Sequence, residues 1–231
     1  METVLPYANL FLTGTAITLL VTLAVLPIGI CLGLIGAAAK LSGDPVAMAY
    51  ANVYTSVVRG LPELLVILVI FMGGQQAVNA VADLVGYEDH IDFDAFTAGV
   101  IALAFMFGAY ATEIFRGAIL AIPKGQTEAA HAFGMGGWLT FRRITLPQVW
   151  RLALPGLGNL TLVLMKDSAL LSLIGLNEII RVVGIAAQAT KNATLFYFVG
   201  ALMFLFLTFI TMTIQKRLEI RANRGVARAR G

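Results

Sequence analysis

Residues 122–147 read IPKGQTEAAHAFGMGGWLTFRRITLP, and this stretch decides how the rest of the chain is organised. Thr127 to Phe133 is made of good helix formers, and Gly134 follows where a helix C-terminal cap belongs. Gly136 and Gly137 permit a sharp reversal, and Trp138 to Thr145 suits a second short helix with Arg142 and Arg143 exposed. Pro147 closes the segment. The stretch is too polar to lie in lipid, yet it sits between two oily runs, Phe96 to Ile122 and about Trp150 to Met165. A helix, a glycine turn and a second helix are therefore expected to project into water from a membrane-embedded bundle.

Composition supports the bundle. The chain has 231 residues, of which 59% are hydrophobic and 13% charged. A soluble domain carries about 25% charged residues, so this much apolar surface is suited to lipid. The single cysteine, Cys31, lies in an apolar run and is expected to be a small buried residue; a disulfide framework and a cysteine-rich metal site are excluded. His90 and His131 have no ligand-like spacing, so no metal site is expected. Met1 to Leu10 holds Glu2 and no Lys or Arg, so the first oily run is expected to be a retained span.

Each span requires roughly 20 mostly apolar residues. The candidates are Leu10 to Ala39, about Val46 to Met72, Phe96 to Ile122, about Trp150 to Met165 and about Leu195 to Ile214. The first carries a small-residue stripe, Gly29, Gly33 and Gly36, which lets helices approach closely. The second is interrupted at Arg59-Gly60-Leu61-Pro62-Glu63, where Pro62 should kink or break it. Ser168 to Thr190 is apolar but carries Asn177, Glu178 and Arg181, and is expected to be a partly embedded helix.

Basic residues near span ends mark the cytoplasmic side. Gly73 to Ala95 holds Asp83, Glu88, Asp89, Asp92 and Asp94 with no Lys or Arg, and reads as outside. Pro123 to Val149 holds Lys124, Arg142 and Arg143, and reads as inside. The tail, with Lys216, Arg217, Arg221, Arg224, Arg228 and Arg230, reads as inside too. The expected fold is an all-α integral membrane protein of five core transmembrane helices, in one domain spanning 1–231, with a periplasmic N-terminus and a cytoplasmic C-terminus. The net charge of +3 follows from this topology and from headgroup contact, and gives no case for nucleic-acid binding.

Glu128-Ala129-Ala130, then Gly134, then Ile144-Thr145-Leu146-Pro147 resembles the "EAA" loop of ABC importer permeases. Gly108-Ala109-Tyr110, Phe115-Arg116-Gly117, Arg59-Gly60-Leu61-Pro62 and Lys166-Asp167-Ser168 resemble the polar amino-acid branch. Leu154-Pro155-Gly156-Leu157-Gly158-Asn159 is most similar to subunits that import histidine, lysine, arginine, ornithine or opines. The resemblance implies an ABC type I importer permease fold in the bacterial inner membrane. It implies a second homologous permease, two ATPase subunits that bind ATP and Mg, and a periplasmic solute-binding protein. It implies that the loop about 123–147, through Glu128, Ala129, Ala130, Gly134 and Arg142, docks on the ATPase and transmits its motion. This chain has no Walker-type phosphate loop, so ATP is expected to be bound elsewhere and no cofactor is expected in this chain. No nucleophile–base pair suited to hydrolysis is visible, so it is not expected to be an enzyme.

Charges within spans are costly and mark pathways. Arg59, Glu63, Glu113 and the Lys166-Asp167 pair qualify. Glu113 and Arg116, three apart on one helix, can pair on the same face, and Arg59 lies beside the Pro62 break. Lys166, Asp167 and Ser168 sit among apolar flanks, where ionic heads suit the groups of a zwitterion. The candidate pathway residues are thus Arg59, Glu113, Lys166, Asp167 and Ser168. Some relatives carry an acidic residue after the asparagine at 159, whereas this chain has Leu160. The rival reading is a subunit of an ion-gradient-driven secondary amino-acid transporter, in which the cytoplasmic glycine-turn loop would have no purpose.

Overall fold

A computed structural model describes residues 3–87 and 91–224. Glu2, Glu88, Asp89, His90, Arg228 and Arg230 lie outside the described residues. A 3-10 turn (Leu5–Tyr7) leads into α1 (Ala8–Leu41), followed by α2 (Pro45–Gly60), α3 (Glu63–Leu84) and α4 (Ala95–Leu120). Then come α5 (Lys124–Ala132), α6 (Gly137–Thr140), a π turn (Phe141–Thr145) and α7 (Leu146–Asp167). A 3-10 segment (Ser168–Ile174), α8 (Ile179–Thr190) and α9 (Ala193–Ala222) complete the chain.

Five helical stretches among the described residues are long and apolar enough to cross a membrane: Leu5–Leu41, Glu63–Leu84, Ala95–Leu120, Gly137–Ile174 and Ala193–Ala222. The shortest, 22 residues, reaches about 33 Å, against a hydrocarbon core of about 30 Å. With 12 residues, α8 reaches only about 18 Å. It is tucked against α9 and α1, with Ile179, Val182, Val183 and Ala186 fully buried, whereas Ser168–Ile174 continues the fourth helical stretch and is not part of one helix with it.

The bundle is organised around α4, whose contacts with α1 are the most extensive in the fold. In lipid, burying apolar surface brings little hydrophobic gain, so helices associate through close packing of small residues. The stripe Gly29, Gly33 and Gly36 performs this here. A Cβ at Gly29 would meet Phe107, one at Gly33 would lie 2.6 Å from the Ala111 Cβ, and one at Gly36 would strike Thr112. Residue numbers rise together along this seam, so α1 and α4 run parallel, crossing in the same sense.

Several boundaries differ from the sequence expectations. Leu61 and Pro62 separate α2 from α3 completely, both in extended backbone. The helix then continues past Met72 to Leu84, so the first half of the expected acidic loop is helical. The Gly73-Gly74-Gln75-Gln76 run disguises this. Gly74 makes room for the Phe93 ring, and the Gln75 amide donates to the Ile91 carbonyl (2.7 Å) and accepts from the Phe93 amide (2.8 Å). These polar groups serve to strap the 91–93 segment to α3. The helical stretch that contains the fourth crossing begins at Gly137, ahead of the expected start near Trp150, and its first part belongs to the polar segment between the crossings. Pro147 fits within it because the π turn ends just before it; in an unbroken α-helix its ring would press on the Arg143 carbonyl. Cys31 is exposed, not buried: it lies off the faces by which α1 packs on α4, α7 and α8.

Candidate functional site

Two features carry chemistry, a projection and a cavity. The projection is α5, α6 and the π turn. Gly134 adopts φ +77°, and this left-handed residue ends α5. The Met135 amide donates to the Ala130 carbonyl and the Gly134 amide to the His131 carbonyl, so both last-turn carbonyls are satisfied. His131 Nδ1 lies 3.0 Å from the Met135 carbonyl and adds to the same turn. Ala130 packs inward, whereas Glu128, Ala129, Gly134 and Arg142 are exposed. Phe133 is 88% exposed and Trp138 73%, with the Trp138 ring stacked on Phe141 at 5.8 Å. These bare rings stand on the polar segment that joins the third and fourth apolar stretches. The sequence reading placed the helix and its cap correctly but did not single out Phe133, Trp138 and Phe141.

The cavity, about 440 Å³, opens between α2, α3, α4 and α7. Its α4 wall runs from Leu103 to Ile114, so it is centred on the midpoint of that span. Of the expected pathway residues, Arg59, Glu113 and Asp167 line it together. Lys166 is exposed on another face of α7 and does not line the cavity, and Ser168 is fully buried with its hydroxyl donating to the Met165 carbonyl (2.8 Å). Glu63, Tyr110 and Asn159 complete the polar lining. The break at Leu61-Pro62 turns Arg59 and Glu63 toward the same space. Arg59 lies over the Tyr110 ring, 5.4 Å from its centroid, a favourable cation–π arrangement.

Glu113 is held from two sides. Its Oε1 accepts from Lys40 Nζ at 2.6 Å and its Oε2 from Arg116 Nε at 2.9 Å. Lys40 also donates to the Thr55 hydroxyl at 2.6 Å. Helices α1, α2 and α4 are thereby joined at one buried point. The Glu113–Arg116 pair was legible from its spacing of three. Lys40 was not, since it read only as the polar end of the first span.

A bundle of five apolar crossings, a central charged cavity and a water-facing helical knob defines a solute-conducting membrane subunit. The chain belongs to the family described as "Binding-protein-dependent transport system inner membrane component", whose model matches residues 29–224. It is therefore a multi-pass inner-membrane protein of the ABC importer permease class. The octopine transport system permease protein OccQ of Rhizobium radiobacter is 40% identical over 94% of this chain and 92% of its own. The histidine/lysine/arginine/ornithine transport system permease protein HisQ of Salmonella typhimurium is 42% identical, covering 96% and 97%. The nopaline transport system permease protein NocQ of Agrobacterium fabrum is 43% identical, covering 92% and 91%. An amino acid ABC transporter crystallised with histidines superposes at a TM-score of 0.81 with 32% identity, over 95% of this chain and 97% of that one. The MetNI methionine transporter matches in fold, at a TM-score of 0.74 and 19% identity, over 95% and 99%.

Proposed function

We propose that this permease imports a cationic amino acid or a derivative, such as an opine, driven by ATP hydrolysis on partner subunits. The charge balance of the cavity carries this reading. Glu113 is already engaged by Lys40 and Arg116, neither of which lines the cavity. That leaves one cation and two carboxylates, Arg59, Glu63 and Asp167, on the cavity wall. An amino acid with a basic side chain brings the complement, one carboxylate and two cationic groups. Arg59 takes the solute carboxylate, while Glu63 and Asp167 take the ammonium and the side-chain charge. Unpaired charges at mid-membrane depth are costly, and a ligand of matching charge relieves that cost. Glu63 and Asp167 supply the acidity that position 160 lacks in this chain. The named substrates of OccQ, HisQ and NocQ agree with this chemistry.

The N-terminus faces the periplasm and the C-terminus the cytoplasm. Lys124, Arg142, Arg143, Lys216, Arg217 and Arg221 then share the cytoplasmic side, as the positive-inside rule requires. The knob of α5 and α6 docks on an ATPase subunit through Glu128, Ala129, Gly134 and Arg142, with Ala130 packed behind them, joined by the bare rings of Phe133 and Trp138. A second permease completes the pathway, with two ATPases below and a solute-binding protein above. Alternation between inward-open and outward-open states is a population shift driven by differential affinity.

The test is uptake by the reconstituted complex. Glu63→Gln and Asp167→Asn should each depress uptake of a cationic solute and spare an isosteric neutral one. Equal loss for both solutes would remove the charge match. Uptake that needs an ion gradient and not ATP would favour a secondary transporter instead.

A further inference from the structure

A second cavity, about 490 Å³, lies on the outer side of the bundle between α1, α7 and α9. Its walls are almost all carbon: Leu23 and Ile30 from α1, Trp150 and Leu157 from α7, Ile214 and Leu218 from α9. The polar exceptions are few. Gln215 donates its amide to the Glu219 carboxylate (2.8 Å) and the Pro155 carbonyl (3.4 Å), and the Thr161 hydroxyl donates to the Leu157 carbonyl (2.8 Å). The crevice extends along α7 from Trp150 to Met165, about 22 Å at the helical rise. On α9 it covers only residues 210–218, the half nearest the basic tail.

Helical spacing puts three arginines beyond this end of the crevice: Arg151 lies one turn before Leu154 on α7, and Arg217 and Arg221 continue the Ile210–Ile214 stripe of α9. Among the described residues, none of these arginines enters an ion pair. Trp150, 44% exposed, stands at the same end, where an indole suits the level of lipid headgroups.

We infer that this crevice is a binding site for an anionic phospholipid of the cytoplasmic leaflet. One acyl chain lies against α7 between α1 and α9, and the phosphate meets Arg217 and Arg221, with Arg151 beside them. The site rests on the orientation put forward above, which sets these arginines at the inner leaflet, and not on the identity of the solute. It also touches the transport path. Phe107 lines this crevice and the charged cavity alike, so its ring is the partition between them. A seated chain supports Phe107 from behind and favours the packing seen here, so lipid occupancy tunes uptake.

The experiment uses the assembled complex in nanodiscs, with a photoactivatable diazirine in one acyl chain of phosphatidylglycerol or of phosphatidylcholine. Phosphatidylglycerol should label residues 19–30, 150–165 and 210–218 in preference to phosphatidylcholine. Arg217→Gln and Arg221→Gln should each lower phosphatidylglycerol labelling about fivefold and leave phosphatidylcholine unchanged. Thr161→Trp, which fills the crevice, should abolish labelling by both. Equal labelling by the two lipids, or labelling indifferent to both arginines, overturns the assignment. So does a benzoylphenylalanine at Leu23 or Ile214 that captures another subunit, since the crevice would then be a protein interface. Solute specificity is unaffected by either arginine variant, so failure here leaves the charge-matched cavity standing.

Discussion

Lys40 and Glu113, 73 residues apart in the chain, meet at 2.6 Å where α1 packs on α4. The Lys40 side chain is 9% exposed and that of Glu113 22%, so neither is fully solvated. Breaking a buried pair by removing one partner costs about 3–5 kcal/mol when a charge is left stranded. The two halves of this network are unequal. Lys40→Met leaves Glu113 still paired with Arg116, whereas Glu113→Gln leaves Lys40 and Arg116 facing each other with no carboxylate between. Glu113→Gln should therefore lower the melting temperature of the solubilised complex more than Lys40→Met. In the double variant the losses should fall short of additive. Equal and additive losses would mean that the two side chains act independently.

The α1–α4 seam makes a separate prediction. Gly33 has no room for a methyl group, because an added Cβ would lie 2.6 Å from the Ala111 Cβ and 3.1 Å from its carbonyl carbon. The obstructing atoms belong to a short side chain and to backbone, so neither can swing aside. Overpacking of this kind costs about 1–3 kcal/mol. Gly33→Ala should destabilise the fold by that amount in denaturant unfolding. Gly73→Ala, with nothing within 4 Å of its added Cβ, should be close to neutral.

How much of this was readable beforehand depended on range. The number of crossings, the glycine seam and the Gly134 cap are local signals of composition and spacing, and these were legible; the second crossing was not placed, since it runs Glu63–Leu84 and not Val46 to Met72. Arg59, Glu113 and Asp167 were each singled out by the cost of charge in lipid, but that they line one cavity between α2, α4 and α7 is tertiary. What stayed hidden was tertiary. Lys40 stood only as the end of the first oily run, because its partner lies on another helix. Lys166 and Asp167 looked like one unit, yet neighbouring helix positions point about 100° apart, and only Asp167 lines the cavity. The far half of α3 fell within the segment read as outside from its acidic residues, and nothing local showed that Gln75 and Asn79 hold the 91–93 segment against the helix.

Acid should loosen the start of α4. The Asp94 carboxylate caps this helix, accepting from the Phe96 and Thr97 amides at 2.9 and 3.1 Å. The hydrogen bonds from Thr97 hold its pKa below the ordinary carboxylate value. A depressed folded-state pKa means that the stabilisation is present above the unfolded value, about 3.9, and is lost as pH falls through the folded one. Asp94→Ala should cost about 1 kcal/mol at neutral pH, as is usual for a lost N-cap, and Asp94→Ser should recover most of it. As pH falls through the lowered folded-state value, the wild type and Asp94→Ala should converge in thermal stability. A gap that persists unchanged into acid would show that the carboxylate is not the capping group.

The last prediction concerns the knob. Gly134 at φ +77° meets no atom within 4 Å of an added Cβ, so a side chain there is penalised by backbone conformation and not by crowding. For a β-branched residue that penalty is about 1–2 kcal/mol, or about five- to thirty-fold in the population of the capped turn. Gly134→Val should therefore leave the spans inserted and the charged cavity intact, since both lie in other helices. It should loosen the angle between α5 and α6 and so weaken the grip of an ATPase on Phe133 and Trp138. In proteoliposomes, hydrolysis should continue while uptake per ATP falls. Gly134→Asn, which tolerates the left-handed region, should restore most of the coupling. Wild-type uptake per ATP in Gly134→Val would remove this turn from the transmission of force.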